Sequence, residues 1–302
     1  MAIFMKRSIV IEAPAKVNLT LDVKGKRSDG YHELETVMHQ VNLLDIIEIA
    51  KAAGGIQIKS NSSLIPTNEE NLAYQAADMI LEKHARHAHI EGVDIFIEKN
   101  IPIAAGLAGG SSDAAAVIQG INKLYELGLE EGEMLELAVA IGSDVAFCLA
   151  GGSHLARGRG EILSRMPDQF LPFIILVKPD FQLSTAEVYR ELDLTQVEES
   201  PDNSAFLAAW EDYDIINIAR NMGNVLETVC LRKFPEIAAI KAELREMGAL
   251  NALMSGSGPS VMGIFTEEEQ ASKARAQFCT RYQEVFLLSS YVKEGYSKGI
   301  SP

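Results

Sequence analysis

Between Ile101 and Asp113 the chain reads Ile101-Pro102-Ile-Ala104-Ala-Gly106-Leu107-Ala108-Gly109-Gly110-Ser111-Ser112-Asp113 and runs straight into an apolar stretch with helical spacing. Glycines let a backbone curl until several N–H groups face one point, and the helix that follows adds unpaired N–H groups and the positive end of its dipole. Phosphate is the natural guest of such an arrangement. Ser111 or Ser112 is placed to cap the helix, and the other hydroxyl to face a phosphate or its metal ion. The stretch is not a Walker loop, which needs Lys where this chain has Ser, and it lacks the G-x-G-x-x-G of dinucleotide folds. Protein-kinase H-R-D and D-F-G sequences are also missing. Taken alone, it fits an ordinary capped turn equally well.

Four further groups of residues carry chemistry. In Pro14-Ala15-Lys16-Val17-Asn18-Leu19, Lys16 and Asn18 alternate with apolar residues, so both point to one face of a strand. In Ile141-Gly-Ser-Asp144-Val, a carboxylate stands between a helix end and an apolar run read as strand. Ser255-Gly256-Ser257-Gly258-Pro259-Ser260 joins two strand-like runs and can bring backbone close to another loop. Asp29-Gly30-Tyr31-His32 puts an aromatic ring and an imidazole after a turn, suited to stacking on and hydrogen bonding to a flat ring. A solvated strand face, a helix C-terminal turn, a tight hairpin and simple packing are the respective structural alternatives. Two features are set aside. His84, His87 and His89 have no Cys or further His nearby to complete a metal site, and the nine acidic residues between Glu187 and Asp214, with only Arg190 among them, read as a solvated face.

The elements that must position these groups follow from periodicity. Strands are expected at Arg7–Ala13, Val17–Val23, 45–49, 56–59, 93–99, 145–149, 153–156, 173–177, 252–255, 260–265 and 284–288. Helices are expected at 69–85, 111–127, 130–141, 185–192, 224–229, 237–247 and 267–281, with a loop between 193 and 203. A chain of 302 residues, 47% hydrophobic, predicts about two domains, here 1–160 and 161–302. No apolar run approaches the ~18 residues of a membrane span, and the N-terminus lacks a leader pattern, so a cytoplasmic location is expected. Three cysteines form no C-x-x-C pair and are expected to be buried thiols. With 27 basic and 42 acidic residues the net charge is −15, which repels nucleic acid and anionic lipid. A small polyanion would have to be held by oriented backbone N–H groups and a few placed cations.

Taken together and in this order, the Pro14–Leu19, Asp29–Leu34, Pro102–Ala115, Gly142–Val145 and Ser255–Pro259 segments resemble the GHMP small-molecule kinases. Order and spacing carry what no segment carries alone. The resemblance spans residues 8 to about 290 and departs from many relatives at Ala104 and Ala108, where they have Gly, and at Ala146, where some have Pro. It implies an α+β, two-domain fold with the active site in the cleft between the domains, and ATP and Mg²⁺ as requirements. It implies Lys16 and Asp144 as catalytic residues, with Pro102, Gly106, Leu107, Ala108, Gly109, Gly110, Ser111 and Ser112 around the triphosphate and Ser112 toward the metal. Gly256, Ser257 and Gly258 form a third loop that closes on the nucleotide. The opening segment together with Tyr31-His32 is similar to the branch of the family whose acceptor is a methylerythritol linked to cytidine diphosphate, phosphorylated on its 2-hydroxyl on the non-mevalonate route to isoprenoid precursors. Asn18, Tyr31, His32 and Tyr189 are then substrate-binding. The implied partner is a small molecule, with no nucleic acid or membrane, and a monomer or weak homodimer. A homoserine or mevalonate kinase is disfavoured because those acceptors have no base to stack on Tyr31. A non-catalytic nucleotide-binding scaffold is disfavoured because binding alone needs neither Lys16 nor Asp144.

Overall fold

The computed structural model describes residues 8–88 and 90–293. The first half of the chain holds β1 (Ser8–Lys26), β2 (His32–Ala52), β3 (Gly55–Ser60), α1 (Leu72–Ala88), β4 (Gly92–Glu98), α2 (Gly109–Tyr125), α3 (Glu131–Ile141) and α4 (Ser143–Ala150). Next come β5 (Ser153–Gly158), β6 (Ile162–Arg165), β7 (Phe173–Lys178), α5 (Thr185–Glu191), α6 (Asn203–Glu211), α7 (Ile215–Arg220) and β8 (Gly223–Asn224). The remainder is α8 (Glu227–Lys233), α9 (Pro235–Glu246), β9 (Asn251–Met254), β10 (Val261–Phe265), α10 (Glu268–Phe278) and β11 (Glu284–Leu288).

The chain forms two compact units. One comprises residues 8–15, Leu43–Ile103 and Ala108–Gly151; the other comprises Lys16–Asn42, Ala104–Leu107 and the described residues from Gly152 onward. In the first unit β4 runs antiparallel to the second half of β2 and parallel to β3. Helices α1 to α4 pack with one another there, and α1 buries Ala73, Ala76, Ala77 and Ile80 along one stripe. In the second unit β5 pairs antiparallel with the first half of β2, and β8 pairs parallel with the second half of β1. A second sheet there has the order β11-β7-β10-β9, antiparallel throughout. Its central strand β7 is an almost unbroken apolar run, as burial on both faces requires, and packs with Ile237, Ile240, Leu244 and Phe278 of the covering helices.

Several expectations are corrected. The apolar run 145–149 is helical, inside α4; five apolar residues satisfy either period, and the double glycine after Ala150 marks the end of a helix instead of a strand. The two expected opening strands are one, β1, which passes through Pro14; Arg7 lies outside the described residues. Strand β2 begins at His32, thirteen residues before the expected 45, and α6 and α7, for which no helix was expected, follow the stretch 193–203 expected as a loop. The helix expected from 224 begins at Glu227, Asn224 being strand. Cys148 and Cys230 are buried, but Cys279 is exposed at the C-cap of α10. His84 and His87 lie on α1, and His89 is outside the described residues. Among the described residues no helix is long and apolar enough to cross a membrane, and no group of three or more His, Cys, Asp or Glu side chains is arranged to hold a metal.

Candidate active site

Lys16 and Asn18 stand on one face of β1, as the strand period requires, and both are almost completely buried, at 4% and 3% exposure. The Lys16 Nζ donates to Asn18 Oδ1 at 2.7 Å. The Asn18 amide is oriented by its other end, because Nδ2 donates to Thr36 Oγ1 at 2.9 Å while that hydroxyl donates to the Thr20 carbonyl at 2.5 Å. A hydroxyl has one proton to give, so Thr36 accepts from Asn18 and leaves Oδ1 to face the ammonium group.

Two glycine loops of the same unit meet this pair. The Lys16 N–H donates to the Leu107 carbonyl at 3.1 Å, and Ser255 Oγ accepts the Asn18 N–H at 3.4 Å while donating to the Gly106 carbonyl at 3.1 Å. Gly106 has φ +77°, and a Cβ there would stand 2.2 Å from the Ser255 carbonyl oxygen, so no side chain fits. Gly256, at φ +56°, would place a Cβ 3.2 Å from Asn18 Oδ1 and 3.5 Å from Lys16 Nζ. Ser257 Oγ bonds Thr185 Oγ1 at 2.8 Å, and Gly258 closes the turn by donating to the Ser255 carbonyl at 2.9 Å. Lys16, Asn18, Gly106, Leu107 and the loop at 256–258 therefore form one cluster.

The rest of the first glycine loop enters α2 in the other unit. Its cap is Ala108, left-handed at φ +56°, and not Ser111 or Ser112. Ser112 is buried in the first turn, and its hydroxyl donates to the Pro14 carbonyl at 2.8 Å. Gly109 and Gly110 open the helix, where N–H groups have no intrahelical partner. Ala104, at φ +53°, is also left-handed, so both positions hold Ala in a Gly-favouring conformation.

Beneath this helix start lies a charged group that the sequence reading missed. Lys99 Nζ bonds Asp45 Oδ2, and Asp113 Oδ2 at 2.9 Å, while Asp45 Oδ1 accepts the N–H groups of Asn100 and Ile101 at 2.6 and 2.9 Å. Burial pushes the Asp113 carboxyl up to about 8 against the pull of Lys99, with Asp45 adding repulsion. Burial alone would lower Lys99, but the two carboxylates outweigh it and its pKa is raised. Asp144, half-buried, is in the first turn of α4, directly after Gly142 ends α3.

A third cluster lies in the second unit. The His32 and Tyr189 rings are 5.3 Å apart at 31°, and the Arg159 guanidinium lies 5.1 Å from the centre of the Tyr31 ring. Tyr31 is 57% exposed, so its ring is open to a ligand. Desolvation, then the charge of Lys26, lowers the His32 pKa and favours a neutral imidazole that both donates and accepts. Arg159 was not foreseen; nothing in sequence ties it to a tyrosine more than a hundred residues earlier.

Lys16, buried against two glycine loops, belongs to a chain whose relatives make it a GHMP kinase. The family described as GHMP kinases N terminal domain matches residues 71–152, and that described as GHMP kinases C terminal matches residues 206–284. A 4-diphosphocytidyl-2-C-methyl-D-erythritol kinase of Syntrophomonas wolfei is 82% identical over 288 residues, covering 95% of this chain and 100% of the relative. One from Geobacillus thermodenitrificans is 48% identical over 283 residues, 92% of this chain and 96% of the relative. A crystal structure of a 4-(cytidine 5'-diphospho)-2C-methyl-D-erythritol kinase superposes with a TM-score of 0.79 at 32% identity, covering 93% of this chain and 98% of that one. A homoserine kinase from Cytophaga hutchinsonii shares the fold, with a TM-score of 0.74 at 22% identity over 97% of each chain. The chain belongs to the 4-diphosphocytidyl-2-C-methyl-D-erythritol kinases.

Proposed function

We propose that this enzyme transfers the γ-phosphoryl group of ATP to the 2-hydroxyl of 4-diphosphocytidyl-2-C-methyl-D-erythritol, a step of the non-mevalonate route to isoprenoid precursors. The observation that carries the reading is the convergence of Asn18 and Gly256 on the buried Lys16 ammonium, with the Gly106 carbonyl beside Gly256. Phosphoryl transfer has a loose transition state, so the protein's work is alignment and charge stabilisation. In our reading Lys16, held in place by Asn18, stabilises charge that develops on the transferred group and the acceptor oxygen. Asp144 receives the hydroxyl proton. Backbone N–H groups from Gly106 to Ser111, with Pro102 and Leu107 fixing the approach of the loop, cradle the triphosphate, the Ser112 N–H being bonded to the Ala108 carbonyl.

Tyr31 stacks on the cytosine, His32 bonds its edge, and Tyr189 backs the imidazole. Ser112, whose proton goes to the Pro14 carbonyl, would hold Mg²⁺ through its remaining lone pairs. There the ion would neutralise phosphate charge. Diffusible small-molecule substrates fit a cytoplasmic enzyme working as a monomer or weak homodimer.

The test is turnover of Lys16→Ala and Asp144→Asn. A positioned general base typically contributes ~100- to 10,000-fold, so each variant is expected to lose at least ~100-fold in kcat with KM for ATP little changed. Near-normal turnover in Asp144→Asn would mean that the proton leaves by another route.

A further inference from the structure

Beside the third glycine loop stand two side chains that the mechanism above does not use. Asn224 is buried, and its amide is fully spent: Nδ2 donates to the Met254 carbonyl at 2.8 Å and to the Gly256 carbonyl at 2.7 Å, while Oδ1 accepts the Leu226 N–H at 3.0 Å. Glu227 Oε1 accepts the Met254 N–H at 2.8 Å, and its Oε2 is ion-paired with Lys241. Met254 ends β9, the edge strand of its sheet, and sits opposite Val261 of β10. Both of its backbone polar groups turn away from β10, and side chains satisfy both. Met254 is fully buried, so water does not serve this edge, and these two side chains are what satisfies it.

Asn224 is also tied to the strand that carries Lys16. Its backbone pairs with Leu21 of β1, and the next residue's N–H, that of Val225, donates to the Leu21 carbonyl at 3.0 Å. One residue therefore links β1 by its backbone and the loop at Gly256 by its side chain. The distance it fixes is the one between the Lys16 strand and a glycine whose Cβ would stand 3.5 Å from Lys16 Nζ.

We infer that Asn224, supported by Glu227, is a positioning residue for phosphoryl transfer, seating the third glycine loop against Lys16 and Asn18. The inference rests on the proposed role of Lys16. Displacing a reacting group by about an ångström can cost on the order of 100-fold, and Asn224→Ala removes both bonds that hold Met254 and Gly256 from this side. Asn224 and Glu227 also line a cavity of about 1030 Å³, so truncation enlarges an existing space instead of opening a sealed one.

The experiment compares kcat, the two KM values and the melting temperature of the full chain with those of Asn224→Ala, Glu227→Ala, Glu227→Gln and Asn122→Ala. Asn122 is a control: its side chain brackets Leu129, far along the sequence from the loop, with two bonds of 3.0 Å. Asn224→Ala and Glu227→Ala are expected to lose ~10- to 100-fold in kcat. Glu227→Gln keeps an acceptor for Met254 while losing the charge pair, so it should lose melting temperature yet stay within about threefold of wild-type kcat; Asn122→Ala should behave likewise. Amide exchange at Ser255 and Gly258 should quicken in Asn224→Ala. Losses of kcat that simply follow melting temperature across the four variants, or a folded Asn224→Ala within threefold of wild type with unchanged exchange, would overturn the inference. If Asn224→Ala does not fold, the contrast between Glu227→Ala and Glu227→Gln decides in the same way. All ratios are taken with whichever acceptor the wild type phosphorylates, so a failure of the substrate reading shows in the wild type and is separate.

Discussion

Lys99 holds Asp113 at 2.9 Å in a buried ion pair, and shares its ammonium group with Asp45. Burial is the main reason the Asp113 carboxyl is pushed up, the charge of Asp45 adding to it against the pull of Lys99. Removing the cation leaves the buried Asp45 carboxylate without its partner, and breaking a buried pair costs ~3–5 kcal/mol. Lys99→Met is therefore expected to lose that much in urea denaturation. Asp113→Asn, which leaves one ion pair, should cost under about 1 kcal/mol at neutral pH or stabilise. The raised carboxyl binds its proton in the folded state up to about pH 8, whereas an unfolded Asp releases it near its ordinary value. Its contribution falls as pH rises between those limits, and the difference in stability between wild type and Asp113→Asn should move in that sense.

Ala104 and Ala108 hold φ values of +53° and +56°. A left-handed residue with a Cβ costs ~1–2 kcal/mol, partly offset because Gly gains more entropy on unfolding. Ala104→Gly and Ala108→Gly should each raise stability by ~0.5–1 kcal/mol in chemical denaturation. Ala276→Gly, on the exposed face of right-handed α10, should lower it by about 1 kcal/mol. Equal losses at all three positions would contradict the assigned backbone conformation.

His39 is fully buried, with Nδ1 2.7 Å from Ser153 Oγ and Nε2 2.7 Å from Ser290 Oγ, and desolvation lowers its pKa to about 4. The unfolded chain takes up this proton near 6.5, so stability from this site is complete above that pH and is lost as pH falls toward 4. The total is on the order of 3 kcal/mol. A His39→Gln variant should show a flatter acid limb between pH 6.5 and 4; an identical slope would remove His39 as its source.

Tyr31 is open to solvent on a turn, so its replacement should spare the fold. Stacking on a nucleobase is worth ~1–3 kcal/mol, or roughly 5- to 150-fold in affinity. Tyr31→Ala should raise KM for the cytidine-linked acceptor by about that factor with KM for ATP nearly constant, and Tyr31→Phe should recover most of it. If the two constants drift together with the melting temperature, the ring is packing instead of binding.

The pairing of Lys16 with Asn18 was legible because a strand's period of two needs only adjacent residues to be read. The glycine loop was legible for a similar reason, its composition being local. The cap of α2 was not, since Ala108 carries no side-chain signal for a left-handed cap and the serines behind it mimic one. The first half of β2 was hidden because Thr36, His39 and Gln40 are polar yet buried. They are satisfied by Thr20, by Ser153 with Ser290, and by Gly152, partners that no window of sequence contains. Asn224 and Lys99 were missed on the same ground, each acting on residues that only the fold brings near.

The central claim is that this kinase acts on an alcohol carrying cytidine diphosphate. Its most direct test is ADP release by the purified chain with ATP and Mg²⁺, offered 4-diphosphocytidyl-2-C-methyl-D-erythritol, homoserine or mevalonate in parallel. The expected result is rapid release with the first, roughly 5- to 150-fold above the other two from the stacked base alone, and a product phosphorylated on the 2-hydroxyl. No release with the cytidine-linked alcohol, alongside robust release with homoserine or mevalonate, would contradict it.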